Sequence, residues 1–226
     1  MAKQIPLDLP HVTAMTRDDF MVTGANRSAV AMIDQWPAWP SHGAIVCGPA
    51  GSGKTHLAAI WQNMAGANSV AAKNLSKLEV PGILSTGSVV IEDVHESGID
   101  EAALFHLLNL VRHNKAHVLI SSRVPPQDIA TTLPDLRSRL NSFPIVSISA
   151  PDDALLRGVL VKHFADRQIA VDEALISYLV ARMPRSLGMA QDLVARIDAE
   201  ALTEKAEITR SFAGRVLAQM TSPEML

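Results

Sequence analysis

Gly48-Pro49-Ala50-Gly51-Ser52-Gly53-Lys54-Thr55 fits the pattern G-x-x-x-x-G-K-[ST] at every fixed position. Its three glycines let the backbone curl until successive N–H groups converge on one phosphate. A helix beginning near Lys54 adds the positive end of its dipole at the same point. In such a loop the lysine reaches the β- and γ-phosphates and the next hydroxyl ligates Mg²⁺. Lys54 and Thr55 hold those places, and His56 follows. The flanks agree with the loop. Ala44-Ile45-Val46-Cys47 is a short apolar run suited to a buried parallel strand, and His56-Leu57-Ala58-Ala59-Ile60-Trp61 continues at helical spacing. A Gly-rich turn matching by chance would lack both, so the stretch is read as a nucleoside triphosphate site.

Outward from this loop, the 226 residues suffice for a full core with a small second domain. A net charge of −3 argues against a chain whose main business is wrapping nucleic acid, and no strong direct DNA binding is expected. The single cysteine, Cys47, cannot form an internal disulfide and reads as a small buried residue. The N-terminus has no apolar h-region, and no run approaches the roughly 18 apolar residues a bilayer span needs. A cytoplasmic protein without membrane contact is therefore expected.

Before the loop, residues 1–19 lack periodicity and carry Pro6 and Pro10, which reads as an extended tail. Within it, Gln4-Ile5-Pro6-Leu7-Asp8-Leu9 offers alternating aliphatic side chains that an apolar groove on a partner could take. From Phe20 an apolar-periodic run reaches Ile33 and Trp36, reading as a helix beside the nucleotide site, and Trp36-Pro37-Ala38-Trp39-Pro40 ends it. After the loop, residues 69–72 read as a strand, while residues 73–87 carry no assignable pattern. Val89-Val90-Ile91-Glu92-Asp93 is an apolar strand ending in two carboxylates. Beside a phosphate loop, Glu92 suits the Mg²⁺ shell and Asp93 suits polarisation of an attacking water. Residues 100–114 have amphipathic helical spacing, and residues 116–122 read as a fourth strand, the third strong one, that turns polar at Ser121-Ser122. A last short strand spans residues 144–148.

Alternation of strand and helix implies right-handed crossovers and a parallel sheet covered on both faces, with ligands at the strands' carboxyl ends. After Pro151 only helical spacing remains, over about 154–166, 172–183, 188–204 and 209–220. The expected organisation is a tail over 1–19, an α/β nucleotide-binding core over 20–150, and a helical domain over 151–226.

This arrangement resembles the AAA+ ATPases, and more narrowly the DnaA-type replication initiators. The resemblance implies a five-stranded parallel AAA+ core followed by a small all-α lid. Phe20-Met21-Val22-Thr23-Gly24-Ala25-Asn26 is similar to the family's opening box, which lines the adenine side of the pocket and implicates Phe20, Val22 and Asn26. Arg123-Val124-Pro125-Pro126 is similar to the motif after the third core strand, and Leu136-Arg137-Ser138-Arg139-Leu140 to the box carrying an arginine finger, which falls on Arg139. Gln4 to Leu9 resembles the peptide by which the short regulatory homologues bind the DNA polymerase III β sliding clamp, with Gln4, Ile5, Leu7 and Leu9 as its anchors. The sequence ends after the helical run, so no DNA-binding helix-turn-helix domain is expected.

Three positions depart from the family pattern. Glu92 stands where Asp is usual, Arg123 takes the place of a sensor Asp and leaves Ser122 as a neutral polar group near the γ-phosphate, and Gly188 aligns with a sensor Arg. Arg185, one turn away, could substitute. The resemblance implies a regulator that binds ATP or ADP with Mg²⁺, docks on the clamp and stimulates ATP hydrolysis by DnaA through Arg139, with weak turnover of its own. Self-association is open. A non-catalytic adaptor is the alternative; a helicase-loader ATPase is another, with neither a basic stripe nor interleaved aromatics to support it.

Overall fold

Strict alternation along the strands decides which helices cover which face of the sheet. In the computed structural model, which describes Arg17 and residues 20–222, β1 spans Gly43–Cys47, β2 Asn68–Ala71, β3 Ser88–Glu92, β4 His117–Ser122 and β5 Ile145–Ser147. Ile45, Cys47, Val89, Ile91, Val118 and Ile120 enter one apolar cluster, whereas Ala44, Val46, Val90 and Leu119 enter another. Each of the three central strands, β1, β3 and β4, thus feeds two cores in turn, as strands buried on both faces require.

The first cluster takes Leu104, Leu107, Leu108 and Val111 from α4 (Glu101–His113), and Leu136 and Leu140 from α5 (Pro134–Asn141). The second takes Ala29, Val30 and Ile33 from α1 (Arg27–Asp34), and Leu57, Ile60 and Trp61 from α2 (Lys54–Ala65). Three of these helices follow from apolar residues three and four apart. The stretch over 73–87, patternless in sequence, holds a short turn of helix at Ala72–Asn74 and α3 at Val80–Ile83, whose Val80 is buried. Its elements are too short to show a period.

All strand pairs are parallel, in the order β2-β3-β4-β1-β5. β1 lies between β4 and β5, so the connections leaving β1 and reaching β5 run to opposite sides. This is the switch point where a crevice opens at the strands' carboxyl ends. The edge strands β2 and β5 are short, which limits unwanted pairing with other chains.

Among the described residues, those from Arg17 to Ala150 form this α/β unit, and those from Pro151 to Ser222 form a separate helical one. The helical unit comprises α6 (Asp153–Asp166), α7 (Glu173–Val180), α8 (Leu187–Glu204) and α9 (Arg210–Thr221). Each begins at a side-chain cap, from Asp152, Asp172, Ser186 and Thr209, whose oxygen accepts a backbone N–H of the first turn. Phe164, Leu160, Leu179, Leu193, Ile197 and Val216 fill its core. Among the described residues, no helix is long and apolar enough to cross a membrane.

Candidate nucleotide site

The end of β1 hands the chain to the phosphate loop. Gly48 donates its N–H to the Ser122 carbonyl at 3.1 Å, fixing the loop against the end of β4. A Cβ on Gly48 would lie 2.3 Å from the Ile148 carbonyl oxygen and 2.9 Å from Ser52 Oγ, so no side chain fits there. Gly53 has φ of 97°, a left-handed turn that glycine makes without penalty, and Lys54 opens α2 directly after it. The Lys54 ammonium donates to the Gly48 and Pro49 carbonyls at 2.8 Å each, within the loop's curl. Burial pushes its pKa down, with the charge of Asp93 the main opposing influence. Ser52 Oγ is buried in the same loop with no hydrogen-bond partner, while Pro49 and Ala50 are exposed. A buried hydroxyl without a partner and backbone too crowded for a Cβ both suit a phosphate-binding cradle.

Thr55 and Glu92, far apart in sequence, meet at this loop. Thr55 Oγ1 donates to Glu92 Oε2 at 3.0 Å, and Ser69 Oγ reaches Glu92 Oε1 at 3.5 Å. The next residue, Asp93, has φ of 57°. That conformation costs a non-glycine residue about 1 kcal/mol or more, least for Asp and Asn. Ser121 Oγ accepts the Asp93 N–H at 3.0 Å and helps hold it. His95 Nδ1 lies 3.8 Å from Asp93 Oδ1 and accepts the Arg123 N–H at 3.2 Å. Burial pushes the His95 pKa down, which favours the neutral ring that an accepting Nδ1 needs.

The remaining residues singled out in the sequence fall as follows. Ser122 is fully buried and donates its hydroxyl to the Val124 carbonyl at 2.6 Å, so that oxygen serves the turn after β4. Phe20 is buried with its ring edge-on to His56, the centroids 5.0 Å apart. Asn26 is buried and spends its amide on its own loop, accepting from Thr23 N and donating to the Met21 carbonyl, each at 2.9 Å. Val22, on the same loop, is exposed. Arg139 is half-buried; Nη2 donates to Asn109 Oδ1 at 2.9 Å and Nε is enclosed without a partner. Among the described residues, no ion pair joins Arg139 to Asp135. Arg185, in the helical unit, pairs with Asp153 at 2.7 Å and donates to the Pro151 carbonyl. Gln4, Ile5, Leu7 and Leu9 lie outside the described residues.

His95, Ser69, Glu101 and Asn109 were not singled out as site residues in the sequence. Only His95 carried a signal, its place two residues beyond Asp93. Among the described residues no cluster of three or more His, Cys, Asp or Glu could hold a metal by itself. One hydroxyl and one carboxylate, Thr55 and Glu92, are what Mg²⁺ asks of a protein when phosphates and water supply the rest.

The fold is that of the AAA+ type of phosphate-loop core, a five-stranded parallel sheet with helices on both faces. Its sequence is DnaA-like. The chain is 23% identical over 229 residues to the chromosomal replication initiator protein DnaA of Clavibacter sepedonicus, a match covering 90% of this chain and 48% of that protein. The chain thus spans about half the length, or less, of the curated relatives it matches. Domain III of Thermotoga maritima DnaA superposes with a TM-score of 0.75 at 18% identity, covering 92% of this chain and 98% of that one. A replication initiator DnaA bound to AMPPCP and single-stranded DNA superposes with a TM-score of 0.67 at 18% identity, covering 84% and 67%. No protein-family model matches the chain.

Proposed function

We propose that this protein is an adenine-nucleotide-binding regulator of replication initiation, of the Hda type, that stimulates ATP hydrolysis by DnaA. The observation that carries the nucleotide part is the convergence of Lys54, Thr55 and Glu92 on one glycine loop at the switch point of a DnaA-like fold. Lys54 would hold the β- and γ-phosphates, and Thr55 with Glu92 would hold Mg²⁺, which supplies charge neutralisation when bound. The AMPPCP in a structural neighbour supports adenine as the base. Asp93 is the residue to polarise a water. The substituted sensor positions, Arg123 and Gly188, argue for weak turnover in this chain's own site.

The activity toward DnaA is assigned to Arg139, presented to the γ-phosphate of DnaA-bound ATP. A guanidinium supplied from a neighbouring molecule stabilises transition-state charge and contributes on the order of 10³–10⁵ in rate. Gln4 to Leu9 is assigned to the DNA polymerase III β clamp, which would concentrate the protein where DNA has been copied.

One observation favours a second reading, a non-catalytic adaptor that only sequesters DnaA: Arg139 is half-buried and tied to Asn109. Phosphate release from ATP-loaded DnaA of the same source, with DNA-loaded clamp, separates the two. The regulator raises release, and the rise disappears with Arg139→Ala and with Gln4→Ala. An adaptor leaves release unchanged while still binding DnaA.

A further inference from the structure

We infer that Asn109 is a positioning residue that aims the Arg139 guanidinium, with Glu101 anchoring the segment that leads into the helix bearing it; the inference rests on the trans-acting role proposed for Arg139. Both side chains come from α4, which packs against α5. Leu133, the residue before α5, offers no side-chain cap to the exposed N–H groups of that helix end. The Glu101 carboxylate instead holds the segment just before it. It takes hydrogen bonds from Thr131 Oγ1 at 2.9 Å, Thr132 N and Thr132 Oγ1 at 3.0 Å, and Leu133 N at 2.9 Å. These bonds to a charged group pin the segment leading into α5, and buried Leu136 and Leu140 fix which side of the helix faces the core.

Two turns further along α4, Asn109 Oδ1 receives Arg139 Nη2. A guanidinium is planar and rigid, so one bond at Nη2 with Nε enclosed sets the orientation of the whole group. Among the described residues Nη1 has no hydrogen-bond partner and remains the uncommitted edge. A merely structural arginine would be expected to pair its buried Nε, because an enclosed donor without a partner is costly. With Nη2 bonded and Nε enclosed, Nη1 is the part of the guanidinium left for an anion. Holding a long side chain in one orientation before the partner arrives removes an ordering cost from the productive encounter.

The test uses the full chain, titrated against ATP-loaded DnaA of the same source on clamp-loaded DNA, reading the plateau rate of phosphate release and the half-maximal concentration separately. Asn109→Ala, a good helix former within α4, is expected to lower the plateau about tenfold with the half-maximal concentration unchanged. In an Arg139→Ala background it should cause no further loss, since the two act as one unit. Glu101→Ala is expected to lower the plateau in the same way, and a thermal melt of each variant confirms folding. If Arg139→Ala abolishes stimulation while Asn109→Ala and Glu101→Ala keep the wild-type plateau, the positioning role is overturned and the trans-acting reading stands. A change confined to the half-maximal concentration overturns it too. A wild-type plateau in Arg139→Ala overturns both.

Discussion

Lys54 sits with its ammonium between two carbonyls of its own loop, in surroundings that lower its proton affinity. Both facts follow from a glycine loop closing over the first residue of a helix; the loop was legible as a local pattern of eight residues, whereas the lysine's bonds to its own carbonyls were not. Thr55 and Glu92 were legible for the same reason, each read from the end of its own element. Thr55→Val keeps the side chain's shape and removes the oxygen that faces Glu92. In a nucleotide titration the variant should lose the gain that Mg²⁺ gives over EDTA, while affinity in EDTA stays at the wild-type level. A retained Mg²⁺ gain would remove Thr55 from the metal shell. Asn109 gave no such signal, because its meaning lies in Arg139, 30 residues away in sequence. Ser122 shows the converse limit: a hydroxyl at the end of β4 invites a ligand role, yet the Val124 backbone claims it.

At the scale of elements, the strands and long helices were readable because period and burial agree, as when Val89 and Ile91 enter one core and Val90 the other. Residues 73–87 were not, since their four-residue helix is held by tertiary contacts of Val80 rather than by a repeating face. The junction of α4 and α5 was hidden as well, because one carboxylate organises a segment 30 residues further along. Glu101→Ala should remove charged hydrogen bonds costing about 1–3 kcal/mol, and so lower the melting temperature by several degrees. The pH dependence has a definite sign. The Thr132 backbone N–H, followed by burial in the opposite sense and the Thr131 hydroxyl, sets the balance that holds the Glu101 pKa below its ordinary 4.5. A depressed carboxylate contributes stability that is present above that ordinary value and is lost as pH falls through the folded one. The gap in melting temperature between wild type and Glu101→Ala should therefore narrow as pH drops below about 4.5. A gap that stays constant down to pH 3 would mean that the ionised carboxylate does not hold the segment.

For the molecule as a whole, a phosphate-loop core and a separately packed helical unit follow from one change of period near Pro151, where alternating strands give way to helices alone. The likeness to DnaA gives the fold its class, while the departures at Arg123 and Gly188 give this chain its own expected character: a nucleotide held more than turned over. The role proposed for this chain begins with that nucleotide. Equilibrium titration of the full chain with a fluorescent ADP analogue, in Mg²⁺ and in EDTA, for wild type and Lys54→Ala, tests it most directly. Loss of the lysine's charge-assisted bonds should weaken binding by about 10- to 100-fold, with Mg²⁺ strengthening the wild type. Binding that is absent in the wild type, or equal in Lys54→Ala, would contradict the account at its root.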